Sequence, residues 1–390
     1  MKKVGFIINF SPQKWLGGFN YIYNLFFFLK KFKVNSIKPI IITNNKNYFK
    51  KPYNIDGVKI IENKILNKNI FIKSILNKLQ IIFLGKNLAF ENFLIKNKIE
   101  AISHFEFTGR KSTIKSFPWF PDFQEIHLPK NFSFKQRALR FLNLYLAYRN
   151  SSKIIISSNS VLNDLRKINK KYLNKVILLK HAVNISKIPT FSESEKILKK
   201  YGIRKKFFYL PNHFWKHKNH IIVLKALKIL KERNNIDFII VCTGNFNDHR
   251  DYSHKDYLKK YISNNNLEDF FLYIGIVPFE VLVSLILRSI ALINPSKSEG
   301  WSNTIEQAKA LGKKVIASKI PTHLEQKSNN FYFFNHNSEK QLSKLLHHNS
   351  KKFKKIRSFS INKKNYSKYE INQKNFIKNF EKIFLKYLKK

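Results

Sequence analysis

A polar loop between an apolar run and a helical stretch, within Ala291–Gly312, carries the residue types best suited to chemistry in this chain. The loop contains Glu299 and Gly300 and opens onto the helix at Ser302 and Asn303. The first turn of a helix presents unpaired backbone N–H groups and the positive end of the helix dipole, so a phosphate can bind there without a dedicated cation. A carboxylate beside such a site suits hydroxyl donors, which a sugar or ribose supplies. The loop therefore predicts a site for a sugar nucleotide.

The same residues have a purely structural interpretation. Ser302 or Asn303 can cap the helix, and Glu306 can lie in its first turn because an acidic side chain there complements the helix dipole. The pattern alone leaves both interpretations open.

A second junction of the same kind lies about eighty residues earlier in the chain. Phe207–Leu210 is apolar, Ile221–Leu230 has helical spacing, and the loop between them carries His213, Lys216 and Lys218. These side chains suit a diphosphate, although a basic loop in so basic a chain is also typical of a solvated surface.

The N-terminal end contains a third junction of an apolar run, a loop and a helical stretch. Val4–Phe10 is apolar, Ser11–Gly18 predicts a glycine-bearing loop, and helical periodicity resumes at Asn20. Gly17 and Gly18 allow positive φ and close backbone approach, so their N–H groups can contact a phosphate or a sugar. A Gly-Gly pair also marks ordinary turns.

The proline-rich stretch Pro118–Pro129 predicts a stiff aromatic loop, because its prolines exclude a regular helix. His127 is the candidate histidine of a binding cleft, and a packed structural histidine is the alternative. Asp122 can orient a substrate hydroxyl or cap the turn that follows Pro121.

Apolar runs of strand length alternate with helical stretches along most of the 390 residues, which predicts α/β architecture with parallel sheets. The predicted strands are Val4–Phe10, Pro39–Thr43, Ala101–His104, Lys153–Ser157, Val176–Leu179, Phe207–Leu210, Phe238–Cys242, Phe271–Ile274, Ile290–Ile293, Val315–Ala317 and Asn330–Phe334. We expect two facing Rossmann-like domains with a cleft between them.

The domain boundary is expected near His181–Pro189, where a polar stretch precedes the helix Ser192–Tyr201. The prediction is an N-terminal domain over residues 1–186 and a C-terminal domain over residues 187–371. The aromatic and aliphatic stripe of Asn375–Leu388 must be buried somewhere.

The formal net charge of +49 comes from 73 basic and 24 acidic residues. The lysines occur in every segment rather than in one stripe, and no nucleic-acid motif accompanies them, so a nucleic-acid partner is not expected. We attribute the charge mainly to compositional bias, with adhesion to an anionic membrane as a further consequence. The run Ile22–Leu29 is too short to span a bilayer and predicts a core helix, and no secretory signal is visible.

The single cysteine, Cys242, excludes an internal disulfide and fits a cytoplasmic location. The histidines show no paired spacing for zinc, and no Asp-x-Asp motif is present. The sequence therefore predicts no metal and no resident cofactor, with lysine and helix N-termini stabilising a leaving diphosphate.

Taken together, Ser298–Ala317 and Ile320–Gln326 resemble the donor-binding segment of group 1 (family 4) retaining glycosyltransferases. That resemblance implies the GT-B fold, with two facing Rossmann-like domains. It implies that residues 1–186 form the acceptor-side domain, that residues 187–371 form the nucleotide-sugar donor-binding domain, and that residues 372–390 form a helix that crosses back onto the first domain. In the family two glutamates eight positions apart face the donor sugar and the ribose. Glu299 matches the first, whereas Gln307 stands at the second and Glu306 precedes it by one residue, so either can take the ribose role.

The resemblance also implies roles for the other loops. An Arg and, five residues later, a Lys hold the donor diphosphate in the family, and these positions are His213 and Lys218 here. The Trp119–Gln124 segment is similar to a cleft-facing family loop. The remaining implied donor-binding residues are Gly17, Gly18, Lys216, Gly244, Gly300, Trp301, Ser302, Asn303 and Thr304.

The implied reaction is metal-independent hexosyl transfer, with retention of anomeric configuration, from a nucleotide sugar to a hydroxyl of a glycan or lipid-linked saccharide. The implied setting is surface polysaccharide or lipopolysaccharide synthesis at the inner face of the membrane. Glu299, His127 and Lys218 are the residues expected to carry it. The alternative is a basic protein that binds nucleic acid or anionic membrane on a degenerate, inactive GT-B scaffold.

Overall fold

The computed structural model describes residues 1–12, 14–50, 54–63, 79–185, 188–246, 251, 253–354 and 363–388. The chain forms two compact units. Unit 1 comprises Met1–Val183 together with Ile371–Lys390, and unit 2 comprises Asn184–Glu370. The expected boundary between residues 186 and 187 falls on two residues outside the described part of the chain.

Unit 1 is built on a parallel sheet of seven strands in the order β3-β2-β1-β4-β5-β6-β7. The strands are β1 (Lys2–Ile7), β2 (Ile37–Thr43), β3 (Lys59–Glu62), β4 (Ala101–His104), β5 (Lys115–Phe120), β6 (Ile154–Ile156) and β7 (Val176–Leu178). The register between β1 and β2 pairs Val4 with Pro39 and Phe6 with Ile41.

Helices cover both faces of this sheet, as the nearly continuous apolar strands require. They are α1 (Leu16–Lys31), α2 (Leu88–Lys96), α3 (Gln124–His127), α4 (Phe134–Asn150) and α5 (Asn159–Ile168). Alternate residues of β1 enter separate cores: Phe6 packs with α1, and Ile7 packs with α2. The run Ile22–Leu29 lies in α1 and most of it is buried, which confirms the predicted core helix.

Unit 2 has a parallel sheet of six strands in the order β10-β9-β8-β11-β12-β13. The strands are β8 (Phe207–Pro211), β9 (Ile239–Thr243), β10 (Phe271–Tyr273), β11 (Leu292–Asn294), β12 (Val315–Ser318) and β13 (Phe331–Phe334). The helices are α6 (Phe191–Lys200), α7 (His220–Glu232), α8 (Ser253–Asn264), α9 (Phe279–Arg288), α10 (Asn303–Ala310), α11 (Pro321–Glu325) and α12 (Glu339–Lys351).

The strands of unit 2 are buried on both sides. In β8, Phe208 and Leu210 belong to a core shared with α7 and α12, whereas Phe207 and Tyr209 belong to a core shared with α9 and α10. Each face of the sheet therefore carries its own layer of helices, as in a doubly wound α/β domain.

The last helix, α13 (Lys363–Tyr387), supplies aromatic side chains to unit 1. Phe376, Phe380 and Phe384 lie in the same core as Phe6 and Phe28, and the rings of Phe6 and Phe380 stack at 6.2 Å. The aromatic stripe thus explains why the chain returns to the unit in which it began.

The predicted fold class is confirmed: both units are parallel α/β sheets with helices on both faces. Two strands were not predicted. β3 is a partly exposed edge strand with only two isoleucines, and β5 contains Pro118, whose residue type argues against a strand.

None of the described helices is long and apolar enough to cross a membrane.

Candidate active site

The two polar loops of unit 2 meet because the strands before them are neighbours. β8 and β11 pair in parallel, and they are followed by α7 and α10 respectively. The order of the strands reverses between β8 and β11: β9 and β10 lie on one side of this pair, and β12 and β13 lie on the other side. Ligands of open α/β sheets bind at the carboxyl ends of the strands at such a switch point.

An ion pair joins the two loops at this point. Lys218 Nζ lies 2.5 Å from Glu299 Oε1, although the two residues are 81 positions apart in the chain. The side chains are only 14% and 9% exposed, respectively. The two charges are therefore largely removed from water and depend on each other.

Two further side chains fix Glu299. Ser296 Oγ donates to Glu299 Oε1 at 2.7 Å, and Thr322 Oγ1 donates to the Glu299 carbonyl at 2.6 Å. Ser296 is fully buried and is itself bonded to Asn294. The carboxylate is consequently held in one place before any ligand arrives.

The loops are also joined through their backbones. The Lys297 N–H donates to the His217 carbonyl at 2.8 Å. Asn219 has a left-handed conformation with φ of 59°, and its Nδ2 donates to the carbonyls of Pro295 and His336. Asparagine tolerates this conformation better than most residues, which explains its presence between the lysines and α7.

The start of α10 confirms the structural interpretation of Ser302. Its Oγ accepts from the Ile305 N–H at 3.4 Å, and Asn294 Nδ2 donates to it at 2.9 Å. Gln326 is fully buried and bonds both backbone groups of Ser302. The cap does not exclude anion binding, because it satisfies only part of the first turn.

Glu306 and Gln307, the two alternatives for the ribose role, differ in their surroundings. Glu306 accepts from Lys309 Nζ at 2.9 Å and from Gln326 Nε2 at 2.8 Å. Gln307 is 9% exposed, and among the described residues its buried Oε1 has no hydrogen-bond partner. The acidic side chain is thus already occupied, whereas the amide oxygen of Gln307 is unsatisfied.

His213 is held as a neutral ring. Its Nδ1 accepts from the Asn245 N–H at 2.7 Å, so the proton of the neutral ring is on Nε2. Burial, and then the charge of Lys218, lowers the pKa of His213 to about 4. In this structure it offers one hydrogen-bond donor and no positive charge.

Gly244 packs behind His213. Its φ is 128°, and a Cβ there would lie 2.7 Å from the Asn212 carbonyl oxygen. Both the conformation and the close approach require glycine, independently of any contact with a nucleobase.

Lys216 is directed to another partner. Its Nζ lies 3.0 Å from Asp251 Oδ2, and its side chain is 55% exposed. Of the two lysines predicted for the diphosphate, Lys218 alone is paired with Glu299. Gly300 and Trp301 lie between Glu299 and the N-cap Ser302, and Asn303 and Thr304 begin the first turn of α10.

In unit 1 the prediction of a glycine loop is wrong. Gly17 and Gly18 lie in the first turn of α1 and have helical backbone, not positive φ. The requirement for glycine at position 18 is steric, because a Cβ there would come 2.6 Å from the indole ring of Trp15. Their first-turn N–H groups have no intrahelical acceptor, so a contact with a ligand stays a prediction.

The prediction that prolines exclude a helix from Pro118–Pro129 is also wrong. Pro118 lies inside β5, and the proline-free residues 124–127 form the single turn α3. Asp122 accepts from Gln124 and from Arg140, and it does not cap α3. A stretch bounded by prolines can therefore still contain one helical turn.

His127 ends α3 and has a buried acidic partner. Its Nε2 lies 2.8 Å from Oδ2 of Asp164 in α5, whose side chain is 7% exposed. The hydrogen bond that His127 donates to the Asp164 carboxylate raises the pKa of His127 despite the partial burial of the ring. Asp164 thus positions the histidine ring, and the His127 side chain is 32% exposed to solvent.

The carboxyl edge of the sheet in unit 1 is aromatic. Tyr21 stacks on Trp119 at 4.3 Å, and its hydroxyl lies 2.8 Å from Nε2 of His104. Burial lowers the pKa of His104 to about 3, so this ring is neutral. Around these residues lie three partly exposed rings, those of Phe10, Trp15 and Phe105.

Sequence reasoning missed Ser296, Gln326 and Asp164 as site residues. Ser296 holds Glu299 from within the same loop, whereas Gln326 and Asp164 reach Ser302 and His127 from elements that are distant in the chain. Among the described residues, no group of three or more His, Cys, Asp or Glu side chains is arranged to hold a metal ion.

Residues 192–366 match the family model of glycosyl transferases group 1. No curated protein matches the chain. Among solved structures, a glycosyltransferase from Rickettsia africae is 18% identical, with a TM-score of 0.68 and 99% of each chain covered. Anabaena Alr3699/HepE, solved in complex with UDP and glucose, is 13% identical with a TM-score of 0.73, covering 99% of this chain and all of that one.

A third similar structure is that of WaaG, a glycosyltransferase involved in lipopolysaccharide biosynthesis. It is 11% identical, with a TM-score of 0.62, and the similarity covers 96% of this chain and 95% of that chain. At these identities the likeness shows the GT-B fold alone, and the match to the family model covers residues 192–366. Residues 192–366 are thus similar to the group 1 glycosyltransferases.

Proposed function

We propose that this protein is a retaining glycosyltransferase that moves a hexosyl group from a nucleotide sugar to a hydroxyl of a glycan or lipid-linked saccharide. The observation that carries the proposal is the ion pair between Lys218 and Glu299 at the switch point of the sheet in unit 2. One buried cation suits a diphosphate, and one buried carboxylate suits sugar hydroxyls.

Donor binding would exchange these partners. A diphosphate repels the Glu299 carboxylate and attracts the Lys218 ammonium, so Lys218 would leave Glu299 for the phosphate oxygens. The released carboxylate, still held by Ser296, would accept hydrogen bonds from the sugar. Nε2–H of His213 would add one donor to the diphosphate, and the growing negative charge would raise the pKa of His213 from about 4.

The transfer itself would use the leaving group as the base. As the bond from the anomeric carbon to the diphosphate oxygen breaks, that oxygen would take the proton of the acceptor hydroxyl on the same face of the sugar, and the new glycosidic bond would keep the anomeric configuration. Lys218, the loop residues Gly300 and Trp301, and the start of α10 at Ser302, Asn303 and Thr304 would stabilise the developing charge without a metal. Gln307 would face the ribose, because Glu306 is occupied by Lys309 and Gln326.

The acceptor would bind to unit 1, near Gly17, Gly18 and His127. We place the reaction in the synthesis of surface polysaccharide or lipopolysaccharide, at the cytoplasmic face of the membrane, since similar structures include WaaG.

The test is a thermal-shift series with nucleoside diphosphates and their sugar conjugates on the native protein and on Glu299→Ala. A ligand that binds only the folded state raises the melting temperature by mass action. We expect one nucleotide to shift the native protein, its sugar conjugate to shift it further, and Glu299→Ala to lose the additional shift. Glu306→Ala is the matched control, since it removes a neighbouring carboxylate and should keep the additional shift.

The donor so identified then allows transfer to be assayed, and the anomeric configuration of the product tests retention. A flat nucleotide series, with RNA or anionic vesicles shifting the melting temperature instead, would overturn the proposal in favour of a binding protein on an inactive scaffold.

A further inference from the structure

Gln326 is a buried amide whose side chain makes three hydrogen bonds, all of them to the start of α10. It follows the last residue of α11 and is 0% exposed. Its Oε1 accepts from the Ser302 N–H at 3.2 Å, and its Nε2 donates to the Ser302 carbonyl at 3.0 Å and to Glu306 Oε1 at 2.8 Å. Both Nε2 hydrogens and the Oε1 acceptor are therefore used on residues 24 and 20 positions away in the chain.

The partners of Gln326 dictate its residue type. A backbone N–H requires an acceptor, whereas a carbonyl and a carboxylate require donors, and only an amide side chain offers one acceptor and two hydrogens at a single position. A glutamate at position 326 would place a second negative charge against Glu306. An apolar side chain of the same size would leave three buried polar groups without partners.

Glu306 is the partner that matters most for an anionic ligand. It lies in the first turn of α10, where the unpaired N–H groups and the positive end of the helix dipole are found. A carboxylate that is free to move in this turn competes with a phosphate for those N–H groups, and its charge repels the phosphate. Glu306 is therefore a competitor of the diphosphate that the chain itself supplies.

Two side chains hold this competitor. Lys309 Nζ lies 2.9 Å from Oε1 and 3.1 Å from Oε2 of Glu306, and Gln326 Nε2 holds Oε1 as well. The side chains of Glu306 and Lys309 are 12% and 25% exposed, respectively. Lys309 thus compensates the charge of Glu306, and Gln326 fixes the position of the carboxylate.

The same turn of α11 also holds the loop of Glu299. Thr322 Oγ1 donates to the Glu299 carbonyl at 2.6 Å, and the Gln326 N–H donates to the Thr322 carbonyl at 3.1 Å. One element therefore fixes both acidic residues, Glu299 before α10 and Glu306 within it.

We propose that Gln326 is a positioning residue for the donor diphosphate, because it holds Glu306 and Ser302 so that the start of α10 stays open to phosphate. The inference rests on the proposed function, since it requires a nucleotide donor at this site. Gln326 touches no substrate in this account and acts through the charge of Glu306.

The experiment measures the Kd of UDP, GDP, ADP and CDP, and of their nucleosides, by calorimetric titration of the full-length protein. We expect Gln326→Met to raise the Kd of the diphosphate that the native protein binds by about tenfold, since the Glu306 carboxylate is released toward the phosphate. The Kd of the matching nucleoside should not change. Gln326→Met/Glu306→Gln should recover most of the lost diphosphate affinity, because the competing charge is gone.

A second pair of variants covers the case in which Gln326→Met folds poorly. Lys309→Met releases Glu306 without touching Ser302, and it should raise the Kd of the diphosphate by about threefold. Lys309→Met/Glu306→Gln should recover that loss. The matched control is Lys228→Met, which breaks an exposed pair with Glu232 in α7, at 3.9 Å, and removes the same charge. It should bind the diphosphate as the native protein does.

The outcomes separate this inference from the proposed function. If the native protein binds a nucleoside diphosphate but Glu306→Gln restores affinity in neither background, Gln326 has only a structural role and the inference is overturned. The same holds if Lys309→Met weakens binding no more than Lys228→Met does. A native protein that binds none of the four diphosphates overturns the proposed function, and the inference with it.

Discussion

The carboxyl edges of the two sheets have the same architecture and opposite chemistry. In unit 2 the edge is ionic, with Lys218 and Glu299 paired and Glu299 held by the hydroxyls of Ser296 and Thr322. In unit 1 the edge is aromatic, with Tyr21 and Trp119 stacked around a neutral His104. The comparison shows that the strand, loop and helix plan sets where a site lies, while the loop residues decide what kind of molecule it can bind.

The strongest test of this contrast removes one charge from the ionic edge. Lys218→Met leaves the Glu299 carboxylate, 9% exposed, without its cation, which should lower the free energy of unfolding by roughly 3 kcal/mol. Lys218→Met/Glu299→Leu should recover most of that loss, because no unpaired charge remains. Urea denaturation of the two single variants and the double variant measures the coupling, and additive losses would show that the pair is not a unit.

The corresponding test of the aromatic edge uses two adjacent glycines. Gly18→Ala should destabilise unit 1 by about 1–3 kcal/mol, because the new Cβ would lie 2.6 Å from the Trp15 ring. Gly17→Ala has 3.7 Å to the same side chain and should stabilise α1 by up to about 1 kcal/mol through helix propensity. Melting temperatures that move in the same direction for both variants would contradict this packing role.

These two glycines also show which features of the fold and the site could be predicted from the sequence and which could not. Apolar strands predicted both sheets, because burial on two faces leaves little choice of residue, and the family resemblance assigned Lys218 and Glu299 to one donor site. The position of Gly18 in a helix was not predictable, since its constraint comes from the ring of Trp15 and not from its own conformation. Asp164 was equally inaccessible, because it reaches His127 from another helix.

The smallest expected effect concerns the pair of His127 and Asp164 in unit 1. Asp164 raises the pKa of His127. The pair therefore stabilises the fold fully at pH values below the unfolded pKa of histidine, about 6.5, and this contribution disappears as the pH rises through the folded pKa. Asp164→Asn should therefore cost about 0.5–1 kcal/mol more at about pH 5.5 than at about pH 9. Denaturation at both pH values measures the difference, and a cost that is equal or larger at high pH would refute the assignment.

The backbone links between the loops of unit 2 have a consequence for how the site can change. The Lys297 N–H bonds the His217 carbonyl, and Asn219 bonds the Pro295 carbonyl, so neither loop can open while the other stays closed. Their protected amides should exchange hydrogen with solvent at one common rate, as a single cooperative segment. Transplanting one of these loops into a homologous scaffold would leave its backbone groups without their partners, so a change of donor preference by loop exchange requires both loops to be moved together.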